Sequence, residues 1–308
     1  MSKTDYRVVD PILTTLIQGY NNASMVSDAL FPTIPLQFSK GKIPIFNKSA
    51  FVVRDTIRAI GANSNRIPVS DYVLLPFELQ ERDIEIALDY LEEDNSAIIK
   101  LEQKVTQDLC NIIALGKEKQ AADMALNPAN YTTSAKYDCS STQLSDEDVN
   151  PIDIIKDAAE SVRSRIGKSP NTAVIGASVY RALMDHPAII DRVKFSGIRK
   201  VNTLTLSELF EIPNIKVGYA QYADDLLFKD VWSDSIVLAY VDENEKGKRS
   251  EYNPSFGYTL QKQGCPEIDS YYENGGKIKV IRATDNYSIQ VTCPDAAYLI
   301  YHALSSNE

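Results

Sequence analysis

Residues 40–82 read KGKIPIFNKSAFVVRDTIRAIGANSNRIPVSDYVLLPFELQER. Two stretches of it, Ile43–Arg58 and Ile67–Glu81, are rich in Ile, Val, Phe and Tyr, as strands are. Between them, Ala59-Ile60-Gly61-Ala62-Asn63-Ser64-Asn65 carries turn signals. The pattern predicts a β-hairpin with arms of ~14 residues, roughly 46 Å long at the usual strand rise. Pro44, Pro68 and Pro76 fall within or beside the arms, which suits an edge and not a sheet centre. A two-stranded ribbon is marginal alone in water, so this one is expected to lie against something else. It carries seven basic residues (Lys40, Lys42, Lys48, Arg54, Arg58, Arg66, Arg82) and four acidic ones (Asp55, Asp71, Glu78, Glu81).

The next stretch reverses the sign. Residues 83–102 hold seven carboxylates (Asp83, Glu85, Asp89, Glu92, Glu93, Asp94, Glu102) against Lys100 alone. Its first part alternates Ile84, Ile86, Leu88 and Tyr90 with Asp83, Glu85, Ala87 and Asp89, the period of a half-buried strand. Opposite charge on adjacent segments offers a way to place one copy of the chain on another. Arg54, Arg58 and Arg66 on one side, with Asp83, Glu85, Glu92 and Glu93 on the other, are therefore the candidate intersubunit contacts.

A long helix follows. Asn95 or Ser96 can cap it, Ile98, Leu101, Val105, Leu109 and Ile112 repeat at helical spacing, and Asn127-Pro128 stops it. Residues 129–149 are irregular and polar, a linker by composition. Asn150-Pro151 opens a second helical unit, with Ile155, Ala158, Ala159, Val162 and Ile166 on one face and Gly167 at its end. Strands are expected at Thr172–Ile175, Ile215–Tyr219, Ile236–Val241, Tyr258–Gln261, Lys277–Ala283 and Tyr287–Cys293, the last two separated by a turn at Asp285-Asn286. A short helix is expected over Ser178–Asp185, and another opens on a capping box at Thr205-Leu206-Ser207-Glu208. Helices and strands mix, so the fold class is α+β. Residues 1–35, punctuated by Pro11, Pro32 and Pro35, read as an extended arm with short helical turns, one of them within Ser24–Leu30, which is either a loose terminus or an arm along a neighbouring subunit.

Composition narrows the function. The chain has 308 residues and a net charge of −10, with 44% hydrophobic and 24% charged residues. That describes one or two globular domains and a poor generic binder of nucleic acid. No apolar run approaches the length of a membrane-spanning helix, and the first residues lack the apolar region of a signal peptide. The cysteines Cys110, Cys139, Cys265 and Cys293 form no C-x-x-C pair. The two histidines, His186 and His302, have no spacing that suggests a catalytic set. Gly167-Lys168-Ser169 imitates the end of a phosphate loop, but Val162 stands where the first glycine is required. No catalytic, cofactor-binding or metal-binding residue is assigned.

The order of these parts resembles the major capsid protein of tailed bacteriophages. Local text resembles it too: Leu144-Ser145-Asp146 with Asn150-Pro151-Ile152-Asp153, Pro170-Asn171-Thr172-Ala173-Val174-Ile175-Gly176, His186-Pro187-Ala188-Ile189, Val217-Gly218-Tyr219-Ala220 and Pro254-Ser255-Phe256-Gly257-Tyr258-Thr259. The resemblance implies the fold shared by tailed-phage coats and encapsulins. It divides the chain into an N-terminal arm (1–35), an extended loop (36–82), a peripheral domain with a spine helix (83–145), an axial domain (146–270) and return strands of the peripheral domain (271–308). It further implies a subunit made and assembled in the bacterial host cytoplasm, packing as pentamers and hexamers into an icosahedral virion shell around double-stranded DNA. A separate scaffolding protein, a portal and a decoration protein are the partners it suggests, with only non-specific contact to packaged DNA and none to membrane.

Two readings compete with it. A cytosolic α+β enzyme with an unrecognised site fits the composition, but a monomeric enzyme has no use for a long uncovered hairpin. An encapsulin-like compartment shares the fold and differs in cargo.

Overall fold

The computed structural model describes residues 10–18, 24–45, 48, 52–58, 60–61, 63–66, 74–93, 98–194, 201–224, 227–242 and 254–304. Among them are two five-stranded sheets and two two-stranded ribbons, with helices packed on the sheets.

In chain order, α1 (Pro11–Gln18) and α2 (Ser27–Leu30) precede β1 (Thr33–Leu36), and the ribbon β2 (Lys40–Pro44) and β3 (Leu74–Glu78) leads into β4 (Gln80–Asp89). Then come α3 (Tyr90–Glu93), the 29-residue α4 (Ile98–Leu126) and β5 (Lys136–Asp138). The second half contains α5 (Pro151–Ile166), β6 (Thr172–Gly176), α6 (Ala177–Asp185), α7 (Pro187–Val193), α8 (Thr203–Phe210), β7 (Asn214–Gly218), the ribbon β8 (Gln221–Asp224) and β9 (Leu227–Asp230), and β10 (Ile236–Ala239). The chain closes with β11 (Gly257–Lys262), β12 (Glu267–Glu273), β13 (Ile278–Val291) and β14 (Ala297–Tyr301).

The first sheet is organised by β13. It pairs with β4 from Ile278↔Asp89 to Tyr287↔Gln80, and with β12 and β11 on further ladders, while β1 adds in parallel to β11. The expected break at Asp285-Asn286 is absent, and the segment is one 14-residue strand. Ladder bonds to its neighbours hold the backbone extended against the turn preference of the Asp-Asn pair. The Asp285 carboxylate is satisfied inside the sheet by Gln261 Nε2 at 2.8 and 3.0 Å. Along β4 the exposed and covered positions alternate, as the period-two reading predicts, with Leu88 buried and Asp83 and Glu85 exposed. Its apolar face meets Val105, Leu109 and Cys110 of α4.

The second sheet runs β5-β14-β10-β6-β7. The last strand thus parts company with β13: β14 joins β10, whereas β13 joins β4. α5 lies over this sheet. Asn150 caps it through Oδ1, which accepts from the Ile152 amide at 3.2 Å, and Gly167 ends it with φ +74°. Ile155, Ala158, Val162 and Ile166 are buried, as their spacing predicts. α8 begins earlier than the capping box suggests, because Asn202 Oδ1 accepts from the Thr205 amide at 2.9 Å and caps it first. His186 caps α7: its Nδ1 accepts from the Ala188 amide at 3.2 Å and its Nε2 meets the Asp146 carbonyl at 3.0 Å.

Two expectations need correction. The first is the arm. Residues 24–36 do not stand out as an extended arm but lock into this chain, since Leu30 and Phe31 are fully buried, Phe31 packs on Phe256 at 5.2 Å, and β1 joins the first sheet. α1 likewise docks on β12, where the Thr14 hydroxyl receives the Ile268 amide at 3.0 Å. The second is the hairpin. Among the described residues its ladder covers Lys40–Pro44 with Leu74–Glu78, and residues 52–58 and 63–66 carry no strand. The Ile, Val and Phe content announces strands, but among the described residues no third strand holds a long ladder together. Residues 46–47, 49–51, 59, 62 and 67–73 of the predicted arms and turn lie outside the described set.

Glu118 joins the parts. It sits on α4, fully buried, and its carboxylate accepts from the Val26 amide at 2.8 Å, the Ser27 amide at 2.9 Å and Trp232 Nε1 at 2.7 Å. The first two bonds satisfy amides at the start of α2, whose own N-cap residue supplies no side-chain bond. The third ties the turn before β10 to the long helix.

Candidate assembly surface

The loop between β2 and β3 leaves the subunit from a short, regular base. The Leu79 amide bonds the Ser39 carbonyl at 2.8 Å, and Lys40 pairs with Glu78 across the ribbon at 2.6 Å. On the loop, Lys48 reaches Asp295 at 3.3 Å, so one flank is tied to the segment just before β14. Beyond that point the described side chains face solvent. Asn65 Nδ2 donates to the carbonyls of Asp55 and Ile57, both at 3.1 Å, which draws the two limbs together. Asp55 Oδ1 accepts from the Ile57 amide at 2.9 Å, and Gly61 turns the chain at φ +81°.

Arg54, Arg58 and Arg66 are all exposed on this outer part of the loop. Asp83 and Glu85 stand on the outward face of β4. Glu92 and Glu93 close α3, and their side chains lie outside the described set. The arginines thus lie on the loop and Asp83 and Glu85 on β4. β3 leads directly into β4, and the arginines lie at the opposite end of the loop from that junction.

The acidic face is broader than the sequence indicates. Register places Glu85, Arg282 and Asp269 side by side across β4, β13 and β12. Arg282 is held by Asp269, with Nη2 on Oδ2 at 2.6 Å, and this partner keeps the guanidinium pKa above its ordinary value. The Tyr271 hydroxyl donates to Glu85 Oε2 at 3.0 Å, and that bond raises the phenol pKa. Glu267 and Glu273 of β12 share the face. β12 escapes a reading of the sequence because Glu267-Ile268-Asp269-Ser270 alternates too briefly to stand out. The large apolar side chains exposed on the loop, Val53, Ile57 and Ile60, escape it too, since Ile, Val and Phe read there as strand formers.

Among the described residues no group of three or more His, Cys, Asp or Glu could hold a metal ion, and no helix is long and apolar enough to cross a membrane. An exposed basic and apolar loop, an acidic sheet face and a long helix joining two sheets suit a subunit that packs against copies of itself.

Comparison with known proteins supplies the class. Residues 47–272 match the family described as Phage major capsid protein E. The chain is 41% identical over 297 residues to the major capsid protein of Burkholderia phage BcepMu, covering 96% of each. A crystal structure of a phage-related protein from Bordetella bronchiseptica RB50 superposes with a TM-score of 0.80 at 32% identity, over 96% of this chain and 98% of that one. The mature capsid of bacteriophage PhiM1 (TM-score 0.51, 14% identity, 91% and 87% coverage) and a virus-like particle from Pyrococcus furiosus (0.53, 10%, 94% and 95%) share the fold. This chain belongs to the Phage major capsid protein E family. Its role is structural, as a repeated subunit of the virion capsid.

Proposed function

We propose that the chain assembles as pentamers and hexamers into an icosahedral shell around the phage's double-stranded DNA, and that its 40–78 loop lies on the neighbouring subunit. The observation that carries this reading is the loop itself. Its basic outer part is exposed, the described residues of its own chain leave it uncovered, and the same chain presents an acidic sheet face elsewhere. The contacts would be Arg54, Arg58 and Arg66 from one copy against Asp83 and Glu85 of the next, with Glu92 and Glu93 at the edge. The acidic balance of the chain also suits a container that must not adhere to packaged DNA. A scaffolding protein, a portal and a decoration protein are the partners such a shell would use, and no catalytic step is assigned to it.

Expressed alone or with a scaffolding protein, the subunit should give capsomers or closed particles by negative-stain microscopy. A monodisperse monomer at high concentration under both conditions would overturn the reading. Charge reversal tests the contact. Arg58→Glu with Arg66→Glu should leave free subunits folded, with a near-normal melting temperature, because both side chains are exposed. Each exposed ion pair contributes only ~0–1 kcal/mol, but repetition around a shell multiplies it and reversal adds repulsion. Particle yield should fall, most at low ionic strength, where screening is least. Assembly unchanged at every salt concentration would remove the arginines from the interface.

A further inference from the structure

We propose that the turn between β12 and β13 is a self-modifying site, at which Asn274 converts to aspartate and isoaspartate through a cyclic imide closed by the Gly275 backbone nitrogen.

Asn274-Gly275 is the only Asn-Gly step in the chain. Asparagine is among the thermolabile side chains, and its ring closure onto the next backbone nitrogen has three requirements. The nitrogen must be unhindered, the side-chain amide must be free to turn, and the backbone must be able to rotate. The turn meets all three. Gly275 has no side chain, and a Cβ added there or at Gly276 would meet nothing within 4 Å, so the approach to the nitrogen is open. Gly275 is also the second residue of the one-turn helix Asn274–Gly276, a position whose N–H has no partner inside the helix. Among the described residues no hydrogen bond holds the Asn274 side chain. Residues 272–277 are exposed.

The backbone is already in an unusual region. Asn274, Gly275 and Gly276 lie at φ +49°, +69° and +91°, a left-handed run that asparagine and glycine tolerate. The two glycines can absorb the rotation of the 274–275 peptide that brings its nitrogen onto Cγ. Asn171 is the internal contrast. Its Oδ1 accepts from the Val241 amide at 2.8 Å, its Nδ2 donates to the Val241 carbonyl at 2.7 Å, and branched Thr172 follows it.

The chemistry needs only water and hydroxide. The Gly275 nitrogen gives its proton to hydroxide and bonds to Asn274 Cγ. The Cγ–Nδ2 bond breaks, and Nδ2 takes up a proton and leaves as ammonia. Water then opens the ring. Cleavage between Cγ and the ring nitrogen leaves aspartate on the original backbone. Cleavage between the Asn274 main-chain carbonyl carbon and that nitrogen leaves isoaspartate, with the main chain running through Cβ and Cγ. Either product adds a negative charge next to Glu273, at the end of the sheet where Asp89 pairs with Ile278 and Lys277 is the cation of the turn. Isoaspartate also lengthens the connection across Glu273↔Ile278, the last rung of the β12–β13 ladder. The acidic face thus gains charge as the subunit ages.

Free, folded subunits incubated at mildly alkaline pH test this. Peptide mass spectrometry should show residue 274 gaining the mass difference between amide and acid, in two chromatographically separable forms. The rate should rise in proportion to hydroxide, and a protein isoaspartyl methyltransferase should label one of the two forms. On anion exchange, intact subunits should develop a later-eluting population. Asn274→Gln should lose that population, because its side chain must close a larger ring. Asn274→Gly, which keeps the positive φ without a side chain, should lose it too. Conversion at 274 no faster than at Asn171, or conversion seen only in denaturant, would overturn the proposal. A late-eluting population that persists in Asn274→Gly would do the same, by placing the new charge elsewhere.

Discussion

Ile112→Pro should sharply reduce soluble shells by destabilising the subunit. Residue 112 is interior to α4, so proline removes the bond from its amide to the Asp108 carbonyl and its ring clashes with that carbonyl. The cost is ~3 kcal/mol or more, against a typical total stability of roughly 5–15 kcal/mol. For a chain of this length that lowers the melting temperature by roughly 5 °C at least. The position is sensitive because of what lies on either side. Val105, Leu109 and Cys110 hold α4 to the first sheet, whereas Glu118, Ala121, Ala122 and Ala125 hold it to α2, Trp232 and the second sheet. A kink at 112 falls between the two anchorages and uncouples them. Ile112→Ala is the control: it keeps the backbone bond and removes a half-exposed side chain, so subunits should fold. Normal particles from Ile112→Pro would show that 98–126 is not one continuous helix.

The same helix shows what a sequence does and does not disclose. Its existence and its end at Asn127-Pro128 are legible because spacing and proline act locally. Its buried face is only half legible. The positions Val105 and Leu109 are buried, but Ile112 faces out and the stripe continues through Glu118, Ala121, Ala122 and Ala125. Three alanines and a glutamate do not look like a core, yet their spacing is helical and marks one face. β4 is readable because one of its faces is covered and the other is wet. β13 is not, since the Asp285-Asn286 pair is a turn in isolation and a strand only when neighbours hold its edges. The arm misleads for a related reason: Phe31 finds its partner in Phe256, far away in sequence, and no local pattern encodes that contact. The candidate surface divides in the same way. Charge reversal between 40–82 and 83–102 can be counted, whereas the contribution of β12 to the acidic face depends on register.

Glu118→Ala should weaken the subunit far more than Ile112→Ala does, and Glu118→Gln should fall between Glu118→Ala and wild type. Three N–H donors converge on this carboxylate in a site closed to water: the Val26 and Ser27 amides and Trp232 Nε1. A buried donor left without an acceptor costs about 1–3 kcal/mol. Alanine strands all three and leaves a cavity, an expected loss of roughly 4–6 kcal/mol once partial relaxation is allowed for. Glutamine in the same rotamer keeps an oxygen for Val26 and Trp232 but turns its NH2 toward the Ser27 amide, donor against donor. The loss there should be about 1–3 kcal/mol. Trp232 is the only tryptophan in the chain, so its fluorescence reports on this site alone. In the alanine variant its emission should shift toward the solvent-exposed range at temperatures where circular dichroism still shows helix, because α2 and the turn before β10 lose their common anchor before the sheets separate. In wild type the two signals should change together. Full wild-type stability in Glu118→Ala, with unshifted emission, would mean that the packing of Phe31, Trp232 and Phe256 holds these segments without the carboxylate.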